Sequence, residues 1–527
     1  MSSPVAEHAC DVAIIGGGLA GNLLARQLLR TRPELHVAIF ERETETSYKV
    51  GEACVEITSN YLTRRLGLTR YLYEHQLPKN GLRYFFDSEA HDTPLENMSE
   101  VGTVNLPFHP AFQLDRAALE ADLLEMNRQA GARVHRGAKV GTLELGEAGS
   151  SHRLRVIDAQ GESCVEARWL VDAGGRSGLV ARLRGLRESE PDHQVGSVWG
   201  RFENVVDIDA YGPEEFRARV RHTSRRLSTL HFMYSGYWIW FIPLRGGITS
   251  IGVTGALVAE DQELRKQEGF RAFLESHAAI RQLLDGAKLV DIGSYRKIAY
   301  GTKQVFHPDR WALVGDAASA ADPLYSPGSD FIAIENDMLC DLVSRDFAGE
   351  SPEALAERAE LYDEFVRFRH RATMLLYEGL YHTLGSFELS RLKWTFDIGC
   401  YYNLWVQAYF RDEHLDIDAL RKQMKLAPLI LGLLGNFAEL FRKCDAELRA
   451  SGSYFRGNSG RFLFGLEDID FAEEVGTERG EAEVMATTLK VFNIVRAQAL
   501  ELLGNVDDYR AVEPLGLPGF LPGRELP

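Results

Sequence analysis

The stretch Asp11-Val-Ala-Ile-Ile-Gly-Gly-Gly-Leu-Ala-Gly21 decides the fold of this chain. Its apolar start predicts a buried parallel strand, and the glycines are followed by a helix predicted over residues 22–30. Gly16 permits the tight turn, Gly18 lets the backbone approach a pyrophosphate, and Gly21 lets the helix pack closely on the strand. Because the N-terminus of that helix offers free N–H groups to phosphate oxygens, the stretch predicts a dinucleotide-binding site.

An acidic residue ends the next predicted strand. The apolar residues 36–40 lead into Glu41, about twenty residues after the glycines, where an acid accepts hydrogen bonds from a ribose. Arg42 follows directly and is assigned to the same site. A strand, a glycine turn, a helix and a second strand that ends in an acid indicate an α/β chain with a doubly wound, Rossmann-type domain.

The charge balance narrows the class of partner. The chain has 527 residues, with 59 Lys and Arg against 76 Asp and Glu, so its formal net charge is −17. An acidic surface favours solubility and is repelled by a phosphate backbone. The composition therefore argues against a nucleic-acid partner.

Cysteine usage and apolar runs predict the compartment. No CxxC pair and no metal-ligand spacing is present among the cysteines, which are Cys10, Cys54, Cys164, Cys340, Cys400 and Cys444. We therefore expect free thiols in a reducing cytoplasm and no metal site. The start of the chain lacks the pattern of a signal peptide, and the longest apolar run, residues 426–434, is too short to span a membrane.

The pattern of predicted strands and helices divides the chain into four segments. Residues 1–195 form the first part of the nucleotide-binding domain, and residues 301–350 return to it. Residues 196–300 carry short strands and predict an inserted, mainly antiparallel sheet domain for the substrate. Residues 351–527 are predicted to be helical, with a tail after Asp507 that runs along the surface.

Three strand ends that contain glycine lie far apart in the sequence. They are the first glycine turn, the segment from Asp172 to Arg176, and the pair Gly315-Asp316. In a doubly wound sheet the carboxyl ends of the parallel strands face one crevice. We expect the three segments to meet there.

On these motifs the chain resembles FAD-dependent oxidoreductases of the aromatic-hydroxylase type, and more narrowly the flavin-dependent halogenases, over residues 10–345. The resemblance implies FAD as cofactor, with a ribose on Glu41 and the ribityl chain on Asp316. The cofactor-binding residues that it implies are Gly16, Gly18, Gly21, Glu41, Arg42, Gln113, Arg116, Asp172, Gly315, Asp316 and Gly328.

Some of these assignments have structural alternatives. Gln113 and Arg116 match the flavin-contacting helix of the family, here predicted over residues 112–129, but they are also compatible with an ordinary helix surface. Asp172 resembles the strand end that packs beside the cofactor, and a structural role is its alternative.

Two features match the halogenases more closely than the hydroxylases. Residues 238–243, Trp-Ile-Trp-Phe-Ile-Pro, match the halogenase signature, which implies that Trp238, Trp240 and Pro243 lie beside the flavin. Lys79 stands where those enzymes carry the lysine that relays an electrophilic halogen, and such a lysine needs a partly desolvated tunnel. The alternatives are an aromatic strand packed on a sheet face and a solvated surface lysine.

The turn over residues 322–330 departs from the halogenase pattern. In the family two consecutive backbone N–H groups hold the halide, but the residue before Gly328 is Pro327, which has no N–H. A buried anion that loses such a bond loses about 1.5–3 kcal/mol. Asp330 adds a like charge, and Tyr325 stands where indole halogenases have glutamate. The sequence therefore predicts a weakened halide site, with Tyr325 and Pro327 in the pocket.

The leading expectation is an FAD-dependent enzyme that uses a flavin C4a-hydroperoxide to oxidise or hydroxylate an aromatic or conjugated small molecule. The second is a halogenase in which Lys79 relays hypohalous acid. A third is an FAD-dependent reductase or dehydrogenase that works without oxygen. A fourth, outside catalysis, is an FAD-binding protein that senses redox state or scaffolds a partner.

Partners and the last third of the chain stay open at this stage. No second glycine fingerprint for a nicotinamide nucleotide follows, which fits either a partner flavin reductase or transient binding of NADPH. The substrate arrives free or tethered to a carrier protein. Aromatic residues after residue 351 either cap the substrate pocket or form a helical core or dimer face; they include Tyr377, Tyr381, Trp394, Phe396, Tyr401, Tyr402, Trp405 and Tyr409.

Overall fold

The computed structural model describes two large sheets and a helical C-terminal region. The described residues are 8–147, 149–464, 472, 474–475 and 477–504. The surface tail predicted after Asp507 lies outside them.

The first sheet is parallel at its centre. Its strands lie in the order Phe306–His307, Trp311–Leu313, Gly161–Asp172, His8–Ile15, Val37–Glu41 and Arg133–Arg136, with Lys139–Glu144 and His152–Asp158 as an antiparallel extension. Chain order reverses beside the strand His8–Ile15, whose residues Val12, Ala13 and Ile14 are fully buried. The sheet confirms the doubly wound α/β class, because its parallel strands alternate with helices.

Three helices lie together at this sheet. Leu19–Thr31 packs against both Arg116–Gln129 and Pro327–Phe347. It begins earlier than predicted because Gly18 takes the N-cap position, directly after the turn.

The helix predicted over residues 112–129 is wrong at its start. Phe112–Gln113 is a short strand that pairs with Leu77–Pro78, and the helix begins at Arg116. Asp115 caps this helix by accepting a hydrogen bond from Ala118 N at 3.1 Å. The apolar periodicity predicts the helix itself. The sequence carries no local signal for the pairing of a two-residue strand just before it.

The second sheet is mainly antiparallel. Its strands lie in the order Lys288–Tyr295, Gly196–Glu203, Ile248–Gly255, Tyr237–Pro243, Thr229–Tyr234, Leu82–Phe86, Ser99–Gly102 and Phe462–Leu463. Two pairings are parallel, Thr229–Tyr234 with Leu82–Phe86 and Phe462–Leu463 with Ser99–Gly102. The sheet thus recruits strands from outside residues 196–300, and the boundaries of the four predicted segments stay a prediction.

Long helices dominate the described residues after 351. They are Pro352–Met374, Phe387–Cys400, Ile417–Ala450 and Glu481–Leu502. By length and composition Ile417–Ala450 is apolar enough to cross a membrane, a test that core helices of soluble proteins also pass. The apolar run of residues 426–434, which alone is too short to span a membrane, lies inside this longer helix. In the structure the helix packs against Pro352–Met374 and Glu481–Leu502.

The remaining elements are short. The strands are Arg187–Ser189 and Tyr300–Thr302, and the α-helices are Glu56–Asn60, Thr69–His75, Leu179–Leu183, Glu214–Ala218, Ala256–Glu260, Gln267–Glu275, Ala278–Leu283 and Gln407–Phe410. The 3₁₀ turns are Leu95–Asn97, Gly175–Ser177, Arg245–Gly247, Glu263–Arg265, Gly315–Ala317, Tyr381–Gly385 and Glu413–Leu415, and the π-helical turns are Tyr61–Arg65 and Tyr401–Val406.

Candidate active site

The glycine turn has no room for side chains where the backbone closes on itself. Gly16 has a φ of +105°, and a Cβ added there would lie 2.4 Å from Ala173 O. A Cβ added at Gly21 would lie 2.2 Å from Gly16 O. At Gly18, by contrast, an added Cβ would meet nothing closer than Lys49 Nζ at 3.8 Å. The space beside the helix N-terminus is therefore open to a ligand.

The acid at the end of the second strand faces this turn. Glu41 accepts hydrogen bonds from Gly17 N at 2.7 Å and from Glu43 N at 2.9 Å. This is the place that a ribose-binding acid requires, and the bond to ribose stays a prediction. Arg42 lies in solvent, paired with Glu43 at 2.9 Å, so its assignment to the cofactor rests on the sequence alone.

The three distant strand ends meet at one edge of the sheet. Ile15 pairs with Asp172, and Asp172 pairs with Leu313. The buried Asp172 carboxylate accepts hydrogen bonds from Gly174 N at 3.0 Å and Val180 N at 2.7 Å. These bonds close the turn after the strand and support the structural role for Asp172.

Asp316 is exposed at this edge. It follows Gly315, which is buried and has a φ of +61°. The guanidinium groups of Arg116, Arg176 and Arg187 lie within electrostatic reach of the Asp316 carboxylate. The helix that begins at Arg116 and the two later strand ends therefore border one crevice.

Gln113 and Arg116 do not share a helix. Gln113 is buried on its short strand, and its Nε2 donates to Thr229 Oγ1 of the second sheet at 3.0 Å. Arg116 donates to Val50 O at 2.8 Å and forms an ion pair with Glu120. The prediction that Gln113 and Arg116 lie on one helix is therefore wrong for Gln113. Arg116 does lie on the helix and borders the crevice.

Sequence reasoning missed other cations at the crevice. Lys49 lies beside the glycine turn, and Arg176 stacks over the rings of Tyr295 and Tyr300 at 4.4 and 4.7 Å. Arg176 ends the glycine-containing segment that begins at Asp172, but no spacing rule assigns an arginine at its end to the cofactor. Neither cation belongs to a motif of its own.

These residues fit FAD. The open helix N-terminus at Gly18 can receive a pyrophosphate, since its N–H groups point outward. The positive charges of Lys49, Arg116 and Arg176 suit the same phosphates, and Asp316 is free to accept bonds from sugar hydroxyls. In the described part of the chain, no cluster of three or more His, Cys, Asp or Glu residues is arranged to hold a metal ion.

Lys79 is buried beside the second sheet, next to the packed aromatic cluster around Trp238 and Trp240, which is called the chamber here. Its side chain is 1% exposed, and its Nζ donates to Cys54 O at 3.0 Å. Burial lowers the pKa of the Lys79 amine, against the opposing influence of the Cys54 thiol, Glu56 and Asp330. The surface-lysine alternative is therefore wrong.

The two signature tryptophans belong to this aromatic cluster. Trp240 also packs on the sheet face, as the alternative predicted, because a Cβ added to the facing glycine of the neighbouring strand would lie 2.2 Å from its ring. Trp238 and Trp240 lie two residues apart on the strand that ends at Pro243, with ring centroids 5.5 Å apart. His231, on the neighbouring strand, lies 5.2 Å from the Trp238 ring. Burial and the Lys79 charge lower the pKa of His231 to about 3, so this imidazole is neutral. No sequence motif marked His231, because its place depends on strand pairing.

Pro327 is the first residue of the helix that follows the predicted halide turn. Proline suits this position, because the first N–H of a helix has no intrahelical acceptor. Ser326 before it has a φ of +56°. A Cβ added at Gly328 would meet no atom within 4 Å. Gly328 and Ser329 lie in the first turn of the helix, where N–H groups have no acceptor four residues earlier in the helix.

Charged side chains near this turn are paired. Asp330 accepts hydrogen bonds from Tyr401 OH at 3.0 Å and from Thr58. Tyr325 OH donates to Asp397 Oδ2 at 2.6 Å, and Lys393 forms an ion pair with the same carboxylate. The charge that was expected to repel a halide is therefore partly compensated.

The C-terminal aromatic residues divide between two roles. Tyr377, Tyr381 and Trp394 belong to the apolar cluster that contains Trp238 and Trp240, and so they close the chamber. The others lie in or against the main core, as the alternative predicted; they are Phe396, Tyr401, Tyr402, Trp405 and Tyr409.

A glycine turn with room for a phosphate and a buried lysine beside an aromatic cluster are features of an FAD-dependent oxidoreductase. Residues 9–337 match the family described as FAD binding domain. The match covers more than half of the chain, so the chain belongs to this family. It is an FAD-dependent oxidoreductase, as the flavin-dependent halogenases and the aromatic hydroxylases are. Its cofactor is FAD.

Several similar proteins are halogenases. The flavin-dependent halogenase chlA of Dictyostelium discoideum is 29% identical over 435 residues, which cover 77% of this chain and 71% of that protein. The 1H-pyrrole-2-carbonyl-[peptidyl-carrier protein] chlorinase of Pseudomonas fluorescens is 28% identical, covering 62% and 73% respectively. The crystal structure of halogenase PltM with phloroglucinol and FAD superposes with a TM-score of 0.69 at 19% identity, over 93% of this chain and 96% of that one. That likeness supports the fold.

Proposed function

We propose that this enzyme is a flavin-dependent halogenase that transfers an electrophilic halogen to an aromatic small molecule through Lys79. One observation carries the proposal: Lys79 is buried in the chamber of Trp238 and Trp240, within electrostatic reach of Asp330, two residues beyond Gly328. The halogenase relatives add support. Halogenation therefore takes precedence over the hydroxylation that led the expectations from sequence.

The Lys79 amine acts as the relay. When bound and reduced, FAD supplies the oxygen chemistry that converts a halide into hypohalous acid. The Lys79 ammonium donates a hydrogen bond to that acid, or its neutral amine displaces the oxygen to form an N–halogen bond and release water. Either route presents the electrophilic halogen to the substrate. Because Lys79 is almost fully buried, the reagent meets little bulk water and few competing nucleophiles.

The helix N-terminus at Gly328 is the halide site in this proposal. Its helix has 21 residues, and its free N–H groups carry about half a positive charge. The missing N–H of Pro327 costs little at a helix start, since Gly328 and Ser329 still provide two consecutive donors. The bonds that Thr58 and Tyr401 donate to Asp330 offset its negative charge.

Two buried polar atoms indicate the substrate. Among the described residues, Trp394 Nε1 and Asp397 Oδ1 have no hydrogen-bond partner, although both are buried on the helix Phe387–Cys400. A hydroxyl group on an aromatic ring accepts from an indole N–H and donates to a carboxylate, so its chemistry suits each of these atoms. We therefore propose a hydroxylated aromatic ring as substrate, either free or carried on a protein as for the chlorinase relative. A separate flavin reductase and a cytoplasmic location complete the proposal.

The test compares Lys79→Met with Lys425→Met, a control on an exposed helix surface. Each full-length, FAD-loaded enzyme receives reduced flavin, oxygen, bromide and a simple phenol such as phloroglucinol. We expect Lys79→Met to lose about 10²–10⁴-fold in halogenated product, since a positioned proton donor contributes that much. Lys425→Met retains the wild-type rate.

Other products would decide against halogenation. A hydroxylated, halogen-free product from the wild-type enzyme would restore hydroxylation as the leading function. Turnover without oxygen would favour the reductase or dehydrogenase. Tight FAD binding without oxygen consumption would favour a non-catalytic role.

A further inference from the structure

The short helix Glu56–Asn60 contacts both halves of the proposed relay. Just before this helix, Cys54 O accepts the hydrogen bond from Lys79 Nζ at 3.0 Å. Within it, Thr58 N and Thr58 Oγ1 both donate to Asp330 Oδ1, at 3.0 and 2.6 Å. Thr58 Oγ1 also lies 2.9 Å from Ser329 Oγ. The segment from Cys54 to Thr58 therefore joins Lys79 to the residues directly after Gly328.

The C-terminal region reinforces this junction. Tyr401 OH donates to the second oxygen of Asp330 at 3.0 Å and lies 3.4 Å from Ile57 N. Tyr402 OH donates to Glu56 Oε1 at 2.7 Å. Both tyrosines belong to the π-helical turn Tyr401–Val406, and such turns often mark functional sites.

Because these hydrogen bonds are buried, the loss of any one of them is costly. Thr58 and Asp330 are each only 1% exposed, so water cannot replace a bond that is lost. Burial raises the pKa of Asp330 to about 6, while the bond from Thr58 and the charge of Arg369 act in the opposite direction. A buried carboxylate held by several donors keeps one position, whereas a carboxylate with a missing donor moves toward another partner.

We propose that Thr58 is a positioning residue which, with Asp330 and Tyr401, fixes the Lys79 amine relative to the halide-binding helix N-terminus at Gly328. The inference rests on the proposed function. Thr58 touches neither halide nor substrate in this account. Its effect is to hold the place where hypohalous acid leaves the halide site and meets the lysine.

The experiment compares Thr58→Val, which keeps the shape and removes the hydroxyl, with Thr58→Ser, which restores it. Thr63→Val serves as matched control, because the Thr63 hydroxyl bonds only carbonyl oxygens of its own helical segment. Each FAD-loaded enzyme is assayed with bromide and phloroglucinol for halogenated product per reduced flavin consumed and for the KM of bromide.

We expect Thr58→Val to form on the order of tenfold less product per flavin consumed, with a raised KM for bromide, because a charge-assisted bond is lost. Thr58→Ser recovers most of the loss, and Thr63→Val behaves as wild type. If Thr58→Val does not fold, Tyr401→Phe carries the same readout, since it removes the outer bond to Asp330 and the hydroxyl that accepts from Ile57 N in the same junction.

Two failures are distinguishable. If the wild-type enzyme halogenates and Thr58→Val matches its yield per flavin, this inference is overturned and the proposed function stands. The same holds if Thr58→Val only lowers the melting temperature. If the wild-type enzyme forms no halogenated product, both are overturned.

Discussion

The glycine turn and the Lys79 chamber are two parts of one site that are built in opposite ways. The turn consists of half-buried backbone at a helix end, and its parts lie between Gly16 and Glu41. The chamber is buried and consists of side chains from segments as distant as Tyr84 and Trp394. Changes in the turn should therefore act through steric contact, and changes in the chamber through charge and hydrogen bonding.

The largest stability effect is expected in the chamber wall. Lys393→Met leaves the Asp397 carboxylate buried without its counter-ion, which costs about 3–5 kcal/mol of unfolding free energy. The control Arg153→Met breaks an exposed pair with Glu166 and should cost less than about 1 kcal/mol. Urea unfolding measures both. Equal losses would contradict the difference between chamber and surface.

Two alanines in the turn separate folding from cofactor binding. Gly21→Ala places a Cβ against Gly16 O, and overpacking of this kind costs about 1–3 kcal/mol. Gly18→Ala has room in the protein alone, so it should unfold like wild type and still bind FAD weakly, because its methyl group enters the phosphate space. Thermal unfolding and flavin absorbance report the two effects. A Gly18→Ala variant with full FAD would show that the phosphate lies elsewhere.

The chamber should also appear in the pH dependence of product formation. Burial lowers the pKa of Lys79, so its ammonium loses a proton as pH rises through a value below the 10.5 of a free lysine. If the ammonium is the donor, the rate falls by at most about tenfold per pH unit above that value. Lys79→Arg keeps its charge at these pH values, so any residual activity should lack this decline. A decline that persists in Lys79→Arg would come from another group.

The smallest effect is expected far from both parts of the site. Gly432 lies within the helix Ile417–Ala450, and an added Cβ would meet no atom within 4 Å. Gly432→Ala should stabilise the fold by about 0.5–1 kcal/mol, because alanine loses less backbone entropy than glycine. FAD content and product yield should not change. Altered yield would show that this helix takes part in the chemistry.

The sequence predicts the turn well because all its information is local. The glycines, the two flanking strands and Glu41 lie within one βαβ unit, where spacing alone defines the geometry. The convergence of Asp172 and Gly315 with that unit also followed, since parallel strands share an edge.

The chamber was predicted only in part because its contacts are long-range. Lys79 and the tryptophans came from the family resemblance, but no spacing rule joins Thr58 to Asp330 across more than two hundred residues. The sequence predicts a weakened halide site because Pro327 has no N–H, and that prediction assumes that residue 327 lies in a loop. The structure makes Pro327 the start of a helix, where a missing N–H is of little consequence.

The strand Phe462–Leu463 has a practical consequence for work with this protein. It covers the edge of the second sheet beside Ser99–Gly102, and Trp394 from the same region packs on Tyr84. A shortened version that stops near residue 350 would bare that edge and its aromatic face together, which invites self-association. Attempts to broaden the range of substrates should therefore substitute individual residues of the chamber in the full-length chain. The last third of the chain cannot be removed or exchanged as an independent unit.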